Sequence, residues 1–291
     1  MFPYIVRGIA LGGQFALIAI GYTMVYGILR LINFAHGDLF MVSGMLLIYF
    51  VATFPVFPIW LSILVIVVLT VILGVLIEKV AYKPLRKAPR MSVMISAIGV
   101  SYLIQNLVTY VTGGNAKFMP DIPLISERVT FLGVTDKLVT FITPVVAIVL
   151  MVVLVLFVNK TKTGIAMRAV SKDFETSQLM GVKINRTISV TFAIGSALAA
   201  IGAVLYFTKN PGIKPISGSL PGLKAFIAAV VGGIGSIPGA VVGAFIIGFV
   251  ENMAVYAGLS TYKDVITFAL LILILVFKPT GIFGEKLQEK V

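Results

Sequence analysis

Six stretches of this chain carry no Asp, Glu, Lys or Arg over a membrane-spanning length: 8–29, 39–77, 91–116, 138–159, 187–208 and 225–250. A seventh, 265–277, is shorter. A transmembrane helix needs about 20 mainly apolar residues to cross the hydrocarbon core. The longest stretch is interrupted by Pro55 and Pro58 and fits two spans, near 39–54 and 59–78. The pattern predicts an all-α, polytopic membrane protein of about eight transmembrane helices, one or two of them discontinuous. No charged stretch is long enough for a separate soluble domain, so residues 1–291 read as one transmembrane domain.

The polar segments between these runs set the expected topology. Residues 79–90 hold Lys79, Lys83, Arg86, Lys87 and Arg90 with no acid. Residues 160–186 hold Lys160, Lys162, Arg168, Lys172, Lys183 and Arg186 against Asp173 and Glu175. Short basic loops stay on the cytoplasmic side. Residues 112–137 balance Lys117, Arg128 and Lys137 with Asp121, Glu127 and Asp136, which suits an external loop. Counting back through three spans places the N-terminus outside. Counting forward leaves the tail outside, although its sequence, KPTGIFGEKLQEK, reads as a cytoplasmic end. Two short half-helices within 225–256 would reconcile the count.

Composition agrees with this class. The chain is 59% hydrophobic and 12% charged, with a mean hydropathy of +1.09, against roughly 25% charged residues in soluble domains. The net charge of +12 would suggest nucleic acid in a soluble protein. Here the charges sit in short loops, and aromatic residues do not interleave with them as a nucleic-acid surface requires. No cysteine is present and only one histidine, which leaves no multi-His or thiolate metal site. The N-terminus has one basic residue, Arg7, and no small-residue cleavage site, so the first run reads as a retained helix.

Two polar or glycine-rich breaks interrupt the apolar runs. One is residues 31–38, Leu-Ile-Asn-Phe-Ala-His-Gly-Asp; the other is Gly232-Gly233-Ile234-Gly235-Ser236-Ile237-Pro238-Gly239. Irregular backbone at membrane depth is tolerated where it is buried in protein or lines a wet cavity, and broken helices often mark a transport path. The candidate path residues are Asn33, His36 and Asp38 in the first break and Gly233, Gly235 and Pro238 in the second. Each break also has a plainer reading, as an interfacial loop or a tight helix crossing through small residues. Glu251 and Asn252 read as the interfacial end of the run before them. His36 and Asp38 have no nucleophile or second base beside them. The glycine run lacks the Lys-Ser/Thr of a phosphate loop. No catalytic residue, cofactor site or metal site is expected, and energy for uphill transport would have to come from another subunit or an ion.

The 160–186 island is more than a connector. Residues 164–170 predict a short helix ended by a Ser171-Lys172 turn. Asp173 then suits the N-cap of a second helix, Glu175 suits its positive end, and Gly181 suits its C′ position. Arg168 lies on the first helix. Phe174, Gln178, Leu179 and Met180 lie on the second and form a knob for a groove on another protein. The competing reading is a basic loop resting on anionic lipid.

The segment MRAVSKDFETSQLMGVKINRTISVTFAIGSALAAIGAVLY resembles the coupling region of the LivH/LivM family, the membrane permeases of branched-chain amino-acid ABC importers. YGILRLINFAHGDLFMVSG, AAVVGGIGSIPGAVVGAFIIGFVEN and the terminal FKPTGIFG resemble that family in the same order, and the INFAHGD form is similar to its LivH-type members. The resemblance implies a multi-pass protein of the cell (inner or plasma) membrane. It implies pairing with a homologous permease or a second copy, with two cytosolic ATPases and an external substrate-binding protein. By position, 173–180 would be the coupling helix, and Asn33–Asp38 and Gly232–Gly239 would line the translocation path. Members also carry urea, short amides and other small amino acids, so the substrate, branched-chain or a related small amino acid, stays open. An ion-coupled secondary carrier is the rival class; it would be expected to hold an ionisable group within a span, and none of the uncharged runs does. A non-transporting scaffold would need neither broken helices nor a docking knob.

Overall fold

The computed structural model describes residues 1–29, 33–86, 88–131 and 133–284. Leu31, Ile32, Lys87 and the tail beyond Gly284 lie outside the described residues. The chain forms α1 (Phe2–Leu29), α2 (His36–Thr53), α3 (Ile59–Ile77, continued by a π turn over Glu78–Tyr82) and α4 (Arg90–Thr112). Three short strands follow: β1 (Lys117–Phe118), β2 (Arg128–Phe131) and β3 (Val134–Lys137). Then come α5 (Leu138–Lys160), α6 (Lys162–Lys172), α7 (Phe174–Leu179) and α8 (Ile184–Lys209). The chain ends with β4 (Gly212–Ile213), α9 (Ser219–Gly232), α10 (Ile237–Tyr256) and α11 (Lys263–Phe277).

Among the described residues, eight helices are long and apolar enough to cross a membrane. They sort by burial. The core window of α1 is 89% buried, whereas those of α4 and α5 are 17% and that of α11 is 6%. Helix α1 is therefore the central post, packed by α10, α8, α5 and α9. Helices α3, α4, α5 and α11 carry large apolar side chains on their outer surfaces. Such an exterior is stable in a hydrocarbon solvent and not in water.

Close helix packing rests on small residues, as is usual where lipid offers no hydrophobic drive for association. A Cβ on Gly12 would stand 2.7 Å from the Cα of Phe245, and one on Gly248 would meet the backbone of Gly12. The pair α1–α10 can thus approach backbone to backbone.

One face of the bundle gathers the N-terminus and the neutral loop. Arg7 Nε lies 3.2 Å from Asp136 Oδ2, and the rings of Tyr4 and Tyr256 are 5.3 Å apart. Strand β1 pairs antiparallel with β4, Lys117 opposite Ile213, while β2 and β3 form a hairpin. Burial alone would raise the Asp136 carboxyl. The Lys137 N–H and the charges of Lys209 and Arg7 outweigh it and hold the group below its ordinary value. Its folded value being depressed, this contact is fully stabilising above the ordinary carboxylate range and is lost only as pH falls through the folded value.

The opposite face gathers the basic loops. Arg86 pairs with the buried Glu78 and donates to Asn185 Oδ1 at 2.6 Å. Ser189 donates to the other Glu78 oxygen at 2.7 Å. This network ties the 79–90 loop to the start of α8, where the 160–186 island ends. The described start of the tail lies on the same face: Ile282 and Phe283 donate backbone N–H bonds to Val231 O and Gly232 O, both at 2.9 Å.

The count of passes explains the tail. Helix α10 is a full 20-residue span and not a half-helix. The extra pass is α9, with 14 residues, or about 21 Å at 1.5 Å per residue, which is short of a roughly 30 Å core. It starts six residues before the uncharged run, and Lys224 lies inside it. Among the described residues, eight long spans and one short pass place Phe2 and Gly284 on opposite faces. Single cysteines at Lys83 and Lys172 should therefore stay unlabelled by an impermeant thiol reagent in intact cells, while one at Lys117 reacts. The native chain has no cysteine to interfere, and outside labelling at 83 or 172 would overturn this topology.

Candidate functional site

Helix α2 begins inside the bundle. His36 and Asp38 are 1% and 2% exposed, and the imidazole occupies the space where Gly21 of α1 lacks a Cβ. Gly37 lies against Gly218 and Gly222 at the start of α9. The polar break thus meets α1 and α9 in the interior rather than at an exposed interfacial loop.

The three polar residues of this break have different surroundings. Asn33 Oδ1 accepts a 2.8 Å bond from the Tyr82 hydroxyl, which joins the break to the end of α3. His36 stacks edge-on against Tyr22, with centroids 4.7 Å apart. Neither residue lines the main cavity. Asp38 does. Its Oδ2 accepts from Ser101 at 2.5 Å and its Oδ1 from Gln105 Nε2 at 2.9 Å, both on α4. Gln105 Nε2 also reaches Ser219 Oγ at 3.4 Å.

The cavity between α2, α4 and α9 has a volume of about 300 Å³, at the lower end of the roughly 300–1,000 Å³ seen for small-molecule sites. Its polar groups converge on Asp38, and its apolar wall includes Phe34, Ile98, Leu223 and Phe226. A second, much smaller void shares Tyr22 and Phe226 with it and extends to Ile234. The Tyr22 and Phe226 rings, 6.0 Å apart, stand where the two spaces meet.

The second break is a tight turn. Gly233 and Gly235 have φ of +106° and +98°, a region that glycine enters without the penalty a Cβ brings. Ser236 caps α10 by accepting from the Gly239 N–H at 3.2 Å, and Pro238 sits in the first turn, where its missing N–H costs nothing. Gly233, Gly235 and Pro238 do not line the Asp38 cavity. They do not line the smaller void either, although their neighbour Ile234 does, and Gly233 lies against Phe283 and Gly284.

The island folds as two helices. Thr161 caps α6 through the Gly164 N–H at 3.0 Å. Asp173 caps α7, its Oδ1 accepting from the Thr176 N–H at 3.0 Å and its Oδ2 from the Thr176 hydroxyl at 2.7 Å. Gly181 follows α7 with φ +81°. Helix α6 runs through Ser171 and Lys172 rather than ending before them. It buries Met167 and Val170, and Arg168 donates to the Asn159 carbonyl at the end of α5 at 3.3 Å. Helix α7 buries only Ser177. Glu175 and Gln178 are exposed, Leu179 and Met180 are 86% and 81% exposed, and Phe174 is partly covered.

One ionic cluster lies inside the bundle where the uncharged runs end. Glu251 is buried rather than interfacial, and Lys224 Nζ lies 2.7 Å from its Oε1 and 2.6 Å from Asp264 Oδ1. With Asp38, this gives the bundle interior ionisable groups that sequence reading places at span edges. No group of three or more His, Cys, Asp or Glu that could hold a metal occurs among the described residues.

These features define a polytopic helical membrane protein packed around a central helix, with a partly polar cavity between α2, α4 and α9 and a capped two-helix knob on its basic face. Residues 4–275 match the family described as Branched-chain amino acid transport system / permease component, and the chain belongs to that family. It is 40% identical over 297 residues to the high-affinity branched-chain amino acid transport system permease protein BraD of Pseudomonas aeruginosa, covering 99% of this chain and 97% of the relative. It is also 40% identical over 303 residues to the permease protein LivH of Escherichia coli K12, with 98% and 96% covered. A probable LivH of Methanocaldococcus jannaschii is 30% identical over 286 residues, with 92% and 88% covered. No solved structure matches.

Proposed function

We propose that this chain is the membrane-spanning permease subunit of an ABC importer for branched-chain amino acids. It passes substrate from an external binding protein to the cytoplasm while two separate cytosolic ATPase subunits hydrolyse ATP. A homologous permease or a second copy completes the pore. The observation that carries this reading is the 40% identity, over nearly the whole chain, to permeases named for that transport. The whole of 1–291 acts as one permease domain, with 160–186 as its coupling loop.

Within this reading α7 is the coupling helix. Phe174, Leu179 and Met180 enter the ATPase groove, and Glu175 and Gln178 flank it. Asp173 and Gly181 fix the two ends, and Arg168 braces α6 on α5. The substrate path runs from the Asp38 cavity past Tyr22 and Phe226 to the Gly233–Gly235 turn beside Pro238. Asn33 and His36 hold the start of α2 in place beside it. The chain itself carries out no chemistry.

The test is reconstitution in liposomes with candidate ATPases and binding protein. Uptake of labelled leucine should require ATP and all partners, and the permease alone should neither hydrolyse ATP nor concentrate solute. Concentrative uptake by this chain alone on an imposed ion gradient would replace the reading with that of a secondary carrier. ATP-driven uptake of urea or acetamide with none of leucine would assign the other substrate class.

A further inference from the structure

We propose that the cavity at Asp38 is a transient amino-acid site in which the Asp38 carboxylate receives the substrate's α-ammonium group. The apolar wall receives its side chain. The inference rests on the permease reading and adds a substrate-selective element within the membrane domain.

Three observations carry it. Asp38 is 2% exposed, yet no cation pairs with it among the described residues; the ion pairs there are Arg7–Asp136, Arg86–Glu78 and Lys224 with Glu251 and Asp264. Its two oxygens each accept one neutral donor, Ser101 and Gln105. A carboxylate offers about four lone-pair sites, so acceptor capacity remains on this cavity-lining carboxylate. A buried anion held only by neutral donors is costly to desolvate, and a visiting ammonium offsets that cost. The third observation is the apolar wall. Phe34, Ile98, Leu223 and Phe226 present an apolar surface to a branched aliphatic side chain, and no lysine or arginine lines the space to compete for Asp38.

A site in a transport path must bind well enough to be entered and weakly enough to be left. One carboxylate with neutral neighbours and a small cavity meets that requirement, since it offers one charged contact rather than a closed cage. The arrangement favours a cationic pole and disfavours an anion of the same shape.

The native chain has no cysteine, so occupancy can be read by protection of an introduced thiol. Ile98→Cys and Leu223→Cys, made in parallel, place reporters on the apolar wall of the assembled transporter, with other subunits free of reactive cysteines. Labelling by a small maleimide is followed with L-leucine, with 3-methylbutylamine (leucine without its carboxylate) and with 4-methylpentanoate (leucine without its ammonium). Leucine and the amine should slow labelling roughly tenfold when present about tenfold above their dissociation constants, and the acid should not. Asp38→Asn should remove the protection by leucine and by the amine. Equal protection by the acid, protection that survives Asp38→Asn, or no protection in a preparation that imports leucine would each overturn the proposal. The three ligands compared on the otherwise native chain decide the matter even if Asp38→Asn does not assemble. Protection by the amine in a preparation that fails to import leucine would sink the transport reading and leave the ammonium site standing.

Discussion

Phe174→Asp should abolish ATP-driven uptake while the permease still folds and inserts. Helix α7 fully buries only Ser177 within this chain, and Phe174 keeps 37% of its surface exposed, so an aspartate there can reach solvent in the free permease. The aspartate would enter a contact that becomes desolvated when the ATPase docks. Truncating a central aromatic anchor costs about 2 kcal/mol or more in binding, or roughly thirtyfold in affinity, and a buried unpaired charge adds to that loss. Lys172→Gln should change little, because a rim charge contributes at most about 1 kcal/mol. Gly181→Val lies between them. Nothing lies within 4 Å of a Cβ placed there, so the cost comes from the left-handed backbone alone, roughly 1 kcal/mol or more. The measurement is co-purification of the ATPases and uptake of labelled leucine at matched expression. A lipid-surface role for the island predicts the reverse order, with Lys172→Gln the more damaging, and normal ATPase retention by Phe174→Asp would sink the docking assignment.

The parts of this fold that were legible in sequence are those encoded locally. Span lengths follow from uncharged runs, because a charge in hydrocarbon is costly wherever its partners lie. The two helices of the island follow from Asp173 and Gly181, whose capping chemistry needs only neighbours in sequence. The break at 232–239 follows from two glycines at positive φ and from Pro238. What stayed hidden depends on residues far apart in the chain. Ser101 and Gln105 meet Asp38 across 63 and 67 positions, and no periodicity marks either as a cavity residue. Asn33 and His36 carry the same polar signal as Asp38, yet tertiary packing turns them toward Tyr82 and Tyr22. The start of α9 was missed because Lys224 looks like the end of a loop until Glu251 and Asp264 come alongside it. An uncharged-run criterion ends a span at any charge, so it is blind to a span that holds a buried or neutralised charge within it.

Lys224→Met should strongly destabilise the bundle interior. Lys224 joins α9 to Glu251 of α10 and Asp264 of α11. It also lies over the Phe15 ring of α1, 5.8 Å from its centroid. Thr267 adds a 2.9 Å bond to the same Glu251 oxygen. Removing the cation leaves the Glu251 carboxylate buried and opposed only by a hydroxyl. Breaking a buried pair from one side costs about 3–5 kcal/mol, whereas replacing the whole pair with neutral groups of similar size is often nearly neutral. Lys224→Met/Glu251→Gln should therefore regain most of the stability, and Asp264→Asn, on the most exposed member of the cluster, should cost at most about 1 kcal/mol. Thermal unfolding and yield of the detergent-purified complex measure this order. If Lys224→Met is as stable as the native chain, the cluster does not hold α9, α10 and α11 together. The double variant also separates packing from transport. An interior ionisable group is a transport candidate by default, but groups that neutralise one another in a fixed contact only need to stay paired or be replaced together. Full leucine uptake by a stable double variant assigns the cluster to helix packing. Loss of uptake with stability intact would assign it a part in moving substrate or ions and reopen the carrier reading.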